Sequence, residues 1–132
     1  MSQGQISQPP GRRVLVVDDN ALMRTVLSSM LMHRGYEVLE VASAEAALDN
    51  LRQENFDLLI LDVMLTGMSG IDLCQIIRNE LELVDLPVVA FTAGHHVERV
   101  AHMRLAGFND FLFKPVHSEA LDTVLSSVML MH

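Results

Sequence analysis

Residues 56–62 read Phe56-Asp57-Leu58-Leu59-Ile60-Leu61-Asp62, an apolar run of strand length that ends in a carboxylate. Leucine and isoleucine at this density indicate a strand that is buried on both faces, as in a parallel sheet. Because an ionised carboxylate is costly to bury, Asp62 is expected at the carboxyl end of the strand, where the loops open. Ligands of open α/β sheets bind in the crevice at that edge. The sequence therefore predicts that Asp62 is the working residue of the chain.

Further apolar segments alternate with helical patterns on both sides of this strand. Strands are predicted at residues 13–18, 36–41, 56–62, 88–92 and 110–113, and helices at 21–34, 44–53, 71–81, 96–106 and from 118 onward. Strands that alternate with helices form a parallel sheet with right-handed crossovers and helices on both faces. We expect an α/β fold, a doubly wound sheet of five parallel strands, as one domain at 12–132 after a polar tail at 1–11.

Composition narrows the classes of function. The chain of 132 residues carries a net charge of −8, with nine basic residues scattered among seventeen acidic ones, so direct binding of nucleic acid is not expected. The single cysteine, Cys74, lies in a helical pattern and is interpreted as a core residue. No apolar run approaches the about 18 to 20 residues of a membrane span, and no signal peptide is visible. A cytoplasmic protein without membrane contacts is the expectation.

Polar residues follow four of the predicted strands at the same edge of the sheet. They are Asp18 and Asp19 after the first strand, Asp62 after the third, Thr92 in the fourth and Lys114 after the fifth. Crowded carboxylates need a cation, and oxygen ligands with open positions suit Mg²⁺. An aspartate is also a competent nucleophile toward phosphorus. The set predicts a site for a phosphoryl group, with Lys114 and Thr92 binding its oxygens.

The same residues lie in segments that closely resemble the receiver domain of two-component response regulators, from Arg13 to about Met129. The segments are Val16-Val17-Asp18-Asp19-Asn20, Leu61-Asp62-Val63-Met64, Gly67-Met68-Ser69-Gly70, Phe91-Thr92-Ala93 and Gly107-Phe108-Asn109-Asp110-Phe111-Leu112-Phe113-Lys114-Pro115. Each segment alone is a weak signal, but the ordered set is specific. The resemblance implies a flavodoxin-like (βα)5 fold with strand order 2-1-3-4-5.

The resemblance also implies roles in phosphoryl transfer. Asp62 would accept a phosphoryl group from a histidine kinase or a phosphotransfer protein. Asp19, Asp62 and the backbone carbonyl of Met64 would bind Mg²⁺, and Asp18 would act through water. The peptide bond between Lys114 and Pro115 would be cis.

Signalling would follow from two switch residues. Thr92 would move toward the phosphate, and Phe111 would swing inward behind it. A downstream protein would then bind the face formed by the fourth helix, the fifth strand and the last helix. Residues expected on that face are His96, Arg99, His102 and Met103.

Several alternatives remain open. The receiver is either a stand-alone protein or a domain of a larger regulator or hybrid histidine kinase, and a scaffold that works without phosphorylation is a further alternative. A phosphatase of the haloacid dehalogenase type would need an aspartate where Met64 stands, so the chain is not expected to be an enzyme beyond its own phosphorylation and dephosphorylation. His95, His96 and His102 indicate a solvated helix face rather than a metal site. Thr66 departs from the family, which usually has proline there.

Overall fold

The structure is a computed structural model, and it describes residues 12–93 and 100–129. Within these residues five strands alternate with five helices. The strands are β1 (Arg13–Val17), β2 (Glu37–Val41), β3 (Leu58–Asp62), β4 (Val88–Ala93) and β5 (Asp110–Lys114). The helices are α1 (Ala21–His33), α2 (Ala44–Gln53), α3 (Gly70–Asn79), α4 (Val100–Ala106) and α5 (Ser118–Met129). The predicted tail at 1–11, and the beginning of the predicted fourth helix with His95, His96 and Arg99, lie outside the described residues.

The strands form one parallel sheet in the order β2-β1-β3-β4-β5. This confirms the predicted fold class and strand order. The strand β3 lies at the centre and all of its residues are buried, as its unbroken apolar sequence predicts. Asp62 pairs with Phe91 of β4, so the carboxylate lies at the carboxyl edge of the sheet.

The core has two layers, one on each face of the sheet. Leu15, Leu59 and Leu61 point toward α2, α3 and α4, whereas Val14, Leu58 and Ile60 point toward α1 and α5. Successive strand residues alternate between the faces, so a strand that is covered on both sides must be apolar throughout.

Cys74 lies on the inner face of α3, where it is completely buried in the core. Burial raises the pKa of the Cys74 thiol to about 11, and the nearby guanidinium of Arg78 only partly offsets this. The thiol is therefore protonated at neutral pH, as expected for a core residue.

Local signals in the sequence set most helix boundaries. Asn20 and Ser43 accept hydrogen bonds from the backbone N–H of Met23 (3.0 Å) and Ala46 (3.1 Å), so both residues are N-caps as predicted. Gly35 and Gly107 follow α1 and α4 with φ of +93° and +116°, backbone conformations that favour glycine.

The helix α3 ends two residues before the predicted end at 81. The N–H of Leu81 bonds to the carbonyl of Ile76 at 3.1 Å, a wider turn than that of an α-helix, and Glu82 follows with φ of +58°. The apolar spacing that suggested a longer helix comes from side chains that pack on the core from this turn. None of the helices in the described ranges has the length and apolar character needed to cross a bilayer.

Candidate functional site

Three carboxylates meet at the carboxyl edge of β1 and β3. Asp18 and Asp19 directly follow β1, and Asp62 is the last residue of β3. One carboxylate oxygen of each residue lies within 4.8 Å of the other two. Asp18 is completely buried and Asp62 retains 4% of its exposure, whereas Asp19 is exposed. The structure thus brings together the three acids that the sequence predicted at this edge.

Each oxygen of the Asp62 carboxylate has a different neighbour. Oδ1 accepts a hydrogen bond from the backbone N–H of Met64 at 3.0 Å, and Oδ2 lies 3.5 Å from Nζ of Lys114. Burial raises the pKa of Asp62, and the charge of Asp18 adds to the rise, while the Met64 N–H and the Lys114 ammonium oppose it. Asp62 is therefore a desolvated carboxylate beside a cation.

The Lys114 ammonium lies between the two buried acids. Its Nζ is 3.1 Å from Oδ2 of Asp18, and it also lies 4.9 Å from the centre of the Phe91 ring. The approach to Asp18 lacks hydrogen-bond geometry, so Oδ2 has no hydrogen-bond partner among the described residues and the contact is electrostatic. The peptide bond between Lys114 and Pro115 is cis, as the resemblance implied.

Asp19 is bound by the loop that joins β3 to α3. Its Oδ2 accepts two hydrogen bonds from Thr66, one from the hydroxyl at 2.6 Å and one from the backbone N–H at 3.0 Å. The hydroxyl hydrogen bond is the main cause that lowers the pKa of Asp19, against a weaker effect of burial. Asp19 is therefore ionised at neutral pH.

Thr92 lies in β4 beside the acids, with only 1% of its surface exposed. Its hydroxyl has no hydrogen-bond partner within residues 12–93 and 100–129. A buried hydroxyl without a partner is costly, and the role of Thr92 in binding a ligand stays a prediction.

Sequence reasoning missed two neighbours of the acids. The first is Thr66, which we noted only as a departure from proline. The second is Arg24 of α1, whose Nη1 donates to the backbone carbonyl of Asp18 at 2.7 Å while its Nε lies 3.3 Å from Glu40. The position of Arg24, one helical turn after the Asn20 cap, was the available signal, because a long side chain there reaches back toward the end of β1.

The comparison with known families settles the class of the chain. The family described as the response regulator receiver domain matches residues 14–126. The chain belongs to the response regulator receiver domain family.

Receiver segments of longer proteins are among its relatives. The response regulator protein FleR of Pseudomonas aeruginosa is 40% identical over 109 residues, which are 83% of this chain and 23% of FleR. The CAI-1 autoinducer sensor kinase/phosphatase CqsS of Vibrio cholerae is 32% identical over 111 residues, which are 83% of this chain and 16% of CqsS. The chain thus spans less than a quarter of the length of either relative.

Solved receiver structures show the same fold. The chemotaxis response regulator CheY4 of Vibrio cholerae superposes with a TM-score of 0.81 at 29% identity, covering 88% of this receiver and 97% of CheY4. The alignment therefore spans most of both chains.

The predicted aromatic switch of this receiver is buried. Phe111 of β5 retains 9% of its exposure, and the guanidinium of Arg104 in α4 lies 4.7 Å from the centre of its ring. Arg104 also donates to the backbone carbonyl of Asn109 at 3.2 Å. The Phe111 side chain is therefore inward in this structure, with a cation over its ring.

Receiver domains bind Mg²⁺ at an acidic pocket, and the residues of this chain fit such an ion. The donors are carboxylate oxygens, which are hard ligands that Mg²⁺ prefers. The buried Oδ2 of Asp18 lacks a hydrogen-bond donor in the described part of the chain, so the lysine alone does not satisfy the acids. The Met64 N–H lies at the site, and the role of its carbonyl remains a prediction.

Proposed function

We propose that this receiver accepts a phosphoryl group on Asp62 in a reaction that requires Mg²⁺. Asp19 and Asp62 would hold the ion directly, together with the backbone carbonyl of Met64. Asp18 would act through a bound water. When bound, Mg²⁺ supplies positive charge that balances the acids and the oxygens of the transferring group.

The observation that carries this proposal is the environment of the Asp62 carboxylate. It lies at the end of the central strand, its Oδ1 held by the Met64 N–H at 3.0 Å and its Oδ2 facing the Lys114 ammonium at 3.5 Å. Burial and the charge of the neighbouring Asp18 raise the pKa of Asp62, so its ionised carboxylate is poorly solvated. A fixed and poorly solvated carboxylate beside a cation is suited to attack phosphorus.

Lys114 and Thr92 would bind the phosphoryl oxygens. The Lys114 ammonium is already held at the site by the two buried acids. It can therefore bind a phosphoryl oxygen there without a large movement. The Thr92 hydroxyl is buried and lacks a partner among the described residues, so an incoming oxygen would satisfy it.

The donor we propose is the phosphohistidine of a histidine kinase or phosphotransfer protein. One oxygen of the Asp62 carboxylate forms a bond with phosphorus while the bond between phosphorus and the histidine nitrogen breaks. The electron pair of that bond returns to the imidazole, which takes up a proton. The chain acts on its own aspartate and does not turn over an external substrate.

The output would be read on the face of α4, β5 and α5. Thr92 in β4 pairs with Phe113 of β5, two residues beyond Phe111, so a movement of Thr92 toward a phosphate has a direct route to this face. Phe111 and Arg104 already connect β5 with α4. The partner would be a protein rather than nucleic acid, given the net charge of −8.

The boundaries and place of action are also proposals. We propose that residues 12–132 form the receiver, either alone or within a larger regulator or hybrid histidine kinase. The buried Cys74 thiol suits a reducing compartment such as the cytoplasm.

Labelling with a small phosphodonor tests the acceptor. The purified chain is incubated with acetyl phosphate and Mg²⁺, and intact mass and tryptic peptides are measured. We expect one added phosphoryl group on the peptide that contains Asp62, and no addition in Asp62→Asn or in the presence of EDTA. Equal labelling of the Asp62→Asn variant would refute the assignment, and no labelling of the parent chain would favour a phosphorylation-independent scaffold.

Asp49→Asn is the matched control. Asp49 lies on α2 with 72% of its side chain exposed, and its contact with Arg52, at 3.9 Å, is weak. The variant removes one carboxylate that lies outside the acid cluster. We therefore expect its labelling to equal that of the parent chain.

A further inference from the structure

The three acids of the site are each fixed by different groups. Oδ1 of Asp18 accepts from the N–H of Asn20 at 2.9 Å, and Oδ1 of Asp62 accepts from the N–H of Met64 at 3.0 Å. Both of these donors belong to the backbone and are independent of side-chain identity. Asp19 differs, because its shortest hydrogen bond, 2.6 Å, comes from the Thr66 hydroxyl. The side chain at position 66 therefore decides how firmly Asp19 is held.

Asp19 is also the acid of the three whose side chain can most easily rotate away from the site. Asp18 and Asp62 are buried and cannot turn to solvent, whereas Asp19 is exposed and lies close to two like charges. Repulsion favours a rotation of the Asp19 carboxylate away from the cluster. Thr66 opposes that rotation with two donors on the same oxygen, Oδ2, and leaves Oδ1 for another ligand.

We propose that Thr66 is a positioning residue for the cation of this receiver. Its hydroxyl holds the Asp19 carboxylate in the orientation that binds Mg²⁺. Because this side chain is already ordered before the ion binds, binding costs less conformational entropy. The inference rests on the proposed function, in which Asp19 is a direct ligand. It adds that Thr66, forty-seven positions away from Asp19 in sequence, contributes to the affinity without touching the ion.

Two substitutions separate the hydroxyl from the rest of the residue. Thr66→Val keeps the shape and the backbone N–H but removes the hydroxyl, and Thr66→Ser keeps the hydroxyl. Mg²⁺ is titrated into each chain without phosphodonor, and the amide resonances near the site are followed by NMR. We expect Thr66→Val to weaken the binding about two- to ten-fold, the range that corresponds to the net contribution of one typical hydrogen bond. Thr66→Ser should restore the affinity to within about two-fold of the parent.

A double-mutant cycle with Asp19→Ala tests whether Thr66 acts through Asp19. In the Asp19→Ala background, Thr66→Val should have no further effect on Mg²⁺ affinity, because the acceptor of the hydroxyl is gone. Thermal unfolding in EDTA monitors the fold, and we expect Thr66→Val to unfold cooperatively, no more than a few degrees below the parent, because one hydrogen bond is lost. Parent-like affinity of Thr66→Val, or an equal loss in both backgrounds, would overturn the inference.

The same titrations distinguish this inference from the proposed function. If the parent chain binds no Mg²⁺, or if Asp19→Ala binds it as well as the parent, the proposed cation site fails and the inference fails with it. If the parent binds Mg²⁺ and needs Asp19, while Thr66→Val binds as the parent does, only the role of Thr66 is refuted.

Discussion

Adjacent aspartates at the end of β1 differ in what their oxygens contact. Oδ1 of Asp18 accepts a hydrogen bond from the Asn20 N–H at 2.9 Å, and Oδ2 faces the Lys114 ammonium at 3.1 Å without a hydrogen bond, so a metal ion at Oδ2 would meet a like charge. Asp19 has one oxygen engaged by Thr66. We therefore expect Asp19→Ala to weaken Mg²⁺ binding more than Asp18→Ala does, by about ten-fold or more, the loss of one direct charged ligand. Calorimetric titration checks this, and the reverse order of the two losses would contradict it.

Ser28 is a polar residue of the core whose burial should lower the stability of the fold. It lies on the buried face of α1, completely buried, and its hydroxyl has no hydrogen-bond partner in the part of the chain that the structure describes. Because such a hydroxyl is destabilising, Ser28→Ala should raise the free energy of unfolding by about 1 kcal/mol.

The neighbouring Ser29 is the control for Ser28. It is exposed on the same helix, so Ser29→Ala gives the gain in helix propensity alone. Urea unfolding followed by circular dichroism measures both variants. A gain for Ser28→Ala no larger than that for Ser29→Ala would show that burial of the hydroxyl costs nothing.

The residues that the sequence could predict at the site share one property. Asp62 and Lys114 end strands, and the end of a strand is visible as the point where an apolar run stops. Thr66 acts through a side-chain hydrogen bond to Asp19, forty-seven positions away, and such a contact follows no period along the chain. The contact of Thr66 therefore required the structure, whereas that of Arg24 with Asp18, six positions away, had a local signal.

At the scale of elements, the start of α3 fits closely against the end of β3. A Cβ on Gly70 would lie 2.4 Å from the backbone oxygen of Asp62 and 2.7 Å from the Cα of Val63. Both atoms belong to the backbone, so Gly70→Ala must displace either the helix or the strand end. We expect a loss of roughly 1 to 3 kcal/mol in the free energy of unfolding, together with weaker Mg²⁺ binding, because Asp62 moves with its backbone.

Gly67→Ala provides a contrast in the same loop. Gly67 has φ of +90°, and a Cβ there would meet no atom within 4 Å. The variant should lose about 1 kcal/mol through backbone strain alone. Urea unfolding and Mg²⁺ titration compare the two variants. If Gly70→Ala kept the affinity of the parent, the close approach of α3 would not govern the position of Asp62.

The hydrogen bonds between α3 and the loops around it are another feature that the sequence alone could not predict. The Arg78 guanidinium donates to the carbonyls of Leu83 (2.6 Å), Leu86 (2.7 Å) and Gly107 (2.7 Å), so one side chain fastens the end of α3 to two loops. In the sequence, Arg78 stands beside the polar residues Asn79 and Glu80 near the end of the predicted helix, with nothing to distinguish it. The alternation of strands and helices was predictable because burial imposes a period, but a side chain that satisfies carbonyls of distant loops imposes none.

At the scale of the whole molecule, the site and the proposed output face are connected through β4 and β5. Mg²⁺ with beryllofluoride, which mimics a phosphoryl group, should shift amide resonances at the site and also those of Arg104, Phe111 and their neighbours in α4. The physical reason is that Thr92, once bound to the mimic, changes its packing against β5. Two-dimensional NMR measures the shifts. Changes confined to the surroundings of Asp62 would refute the coupling, and Asp62→Asn, which cannot bind the mimic covalently, is the control.

The acid cluster should also reduce the stability of the whole fold when no cation is bound. The pKa of Asp62 is higher in the folded chain than in the unfolded chain, chiefly because of burial. The folded state therefore holds the proton more tightly, and the free energy of unfolding falls as the pH rises from the ordinary pKa of an aspartate to the raised value. At pH values above that interval, the full cost of burying the ionised Asp62 carboxylate remains. Asp62→Asn removes the charge, so this variant should unfold several degrees higher than the parent at pH 7 in EDTA.

Mg²⁺ should reverse this order of stabilities. A ligand that binds only the folded state stabilises it by about 2.7 kcal/mol at one hundred times its dissociation constant. The parent chain should gain this stabilisation, whereas Asp62→Asn, with one charged ligand fewer, should gain much less. Thermal unfolding by circular dichroism in EDTA and at rising Mg²⁺ concentrations measures both chains, with Asp49→Asn as the control for the loss of a surface charge. A less stable Asp62→Asn in EDTA would mean that the contact with Lys114 outweighs desolvation. Equal stabilisation of both chains by Mg²⁺ would place the ion away from Asp62.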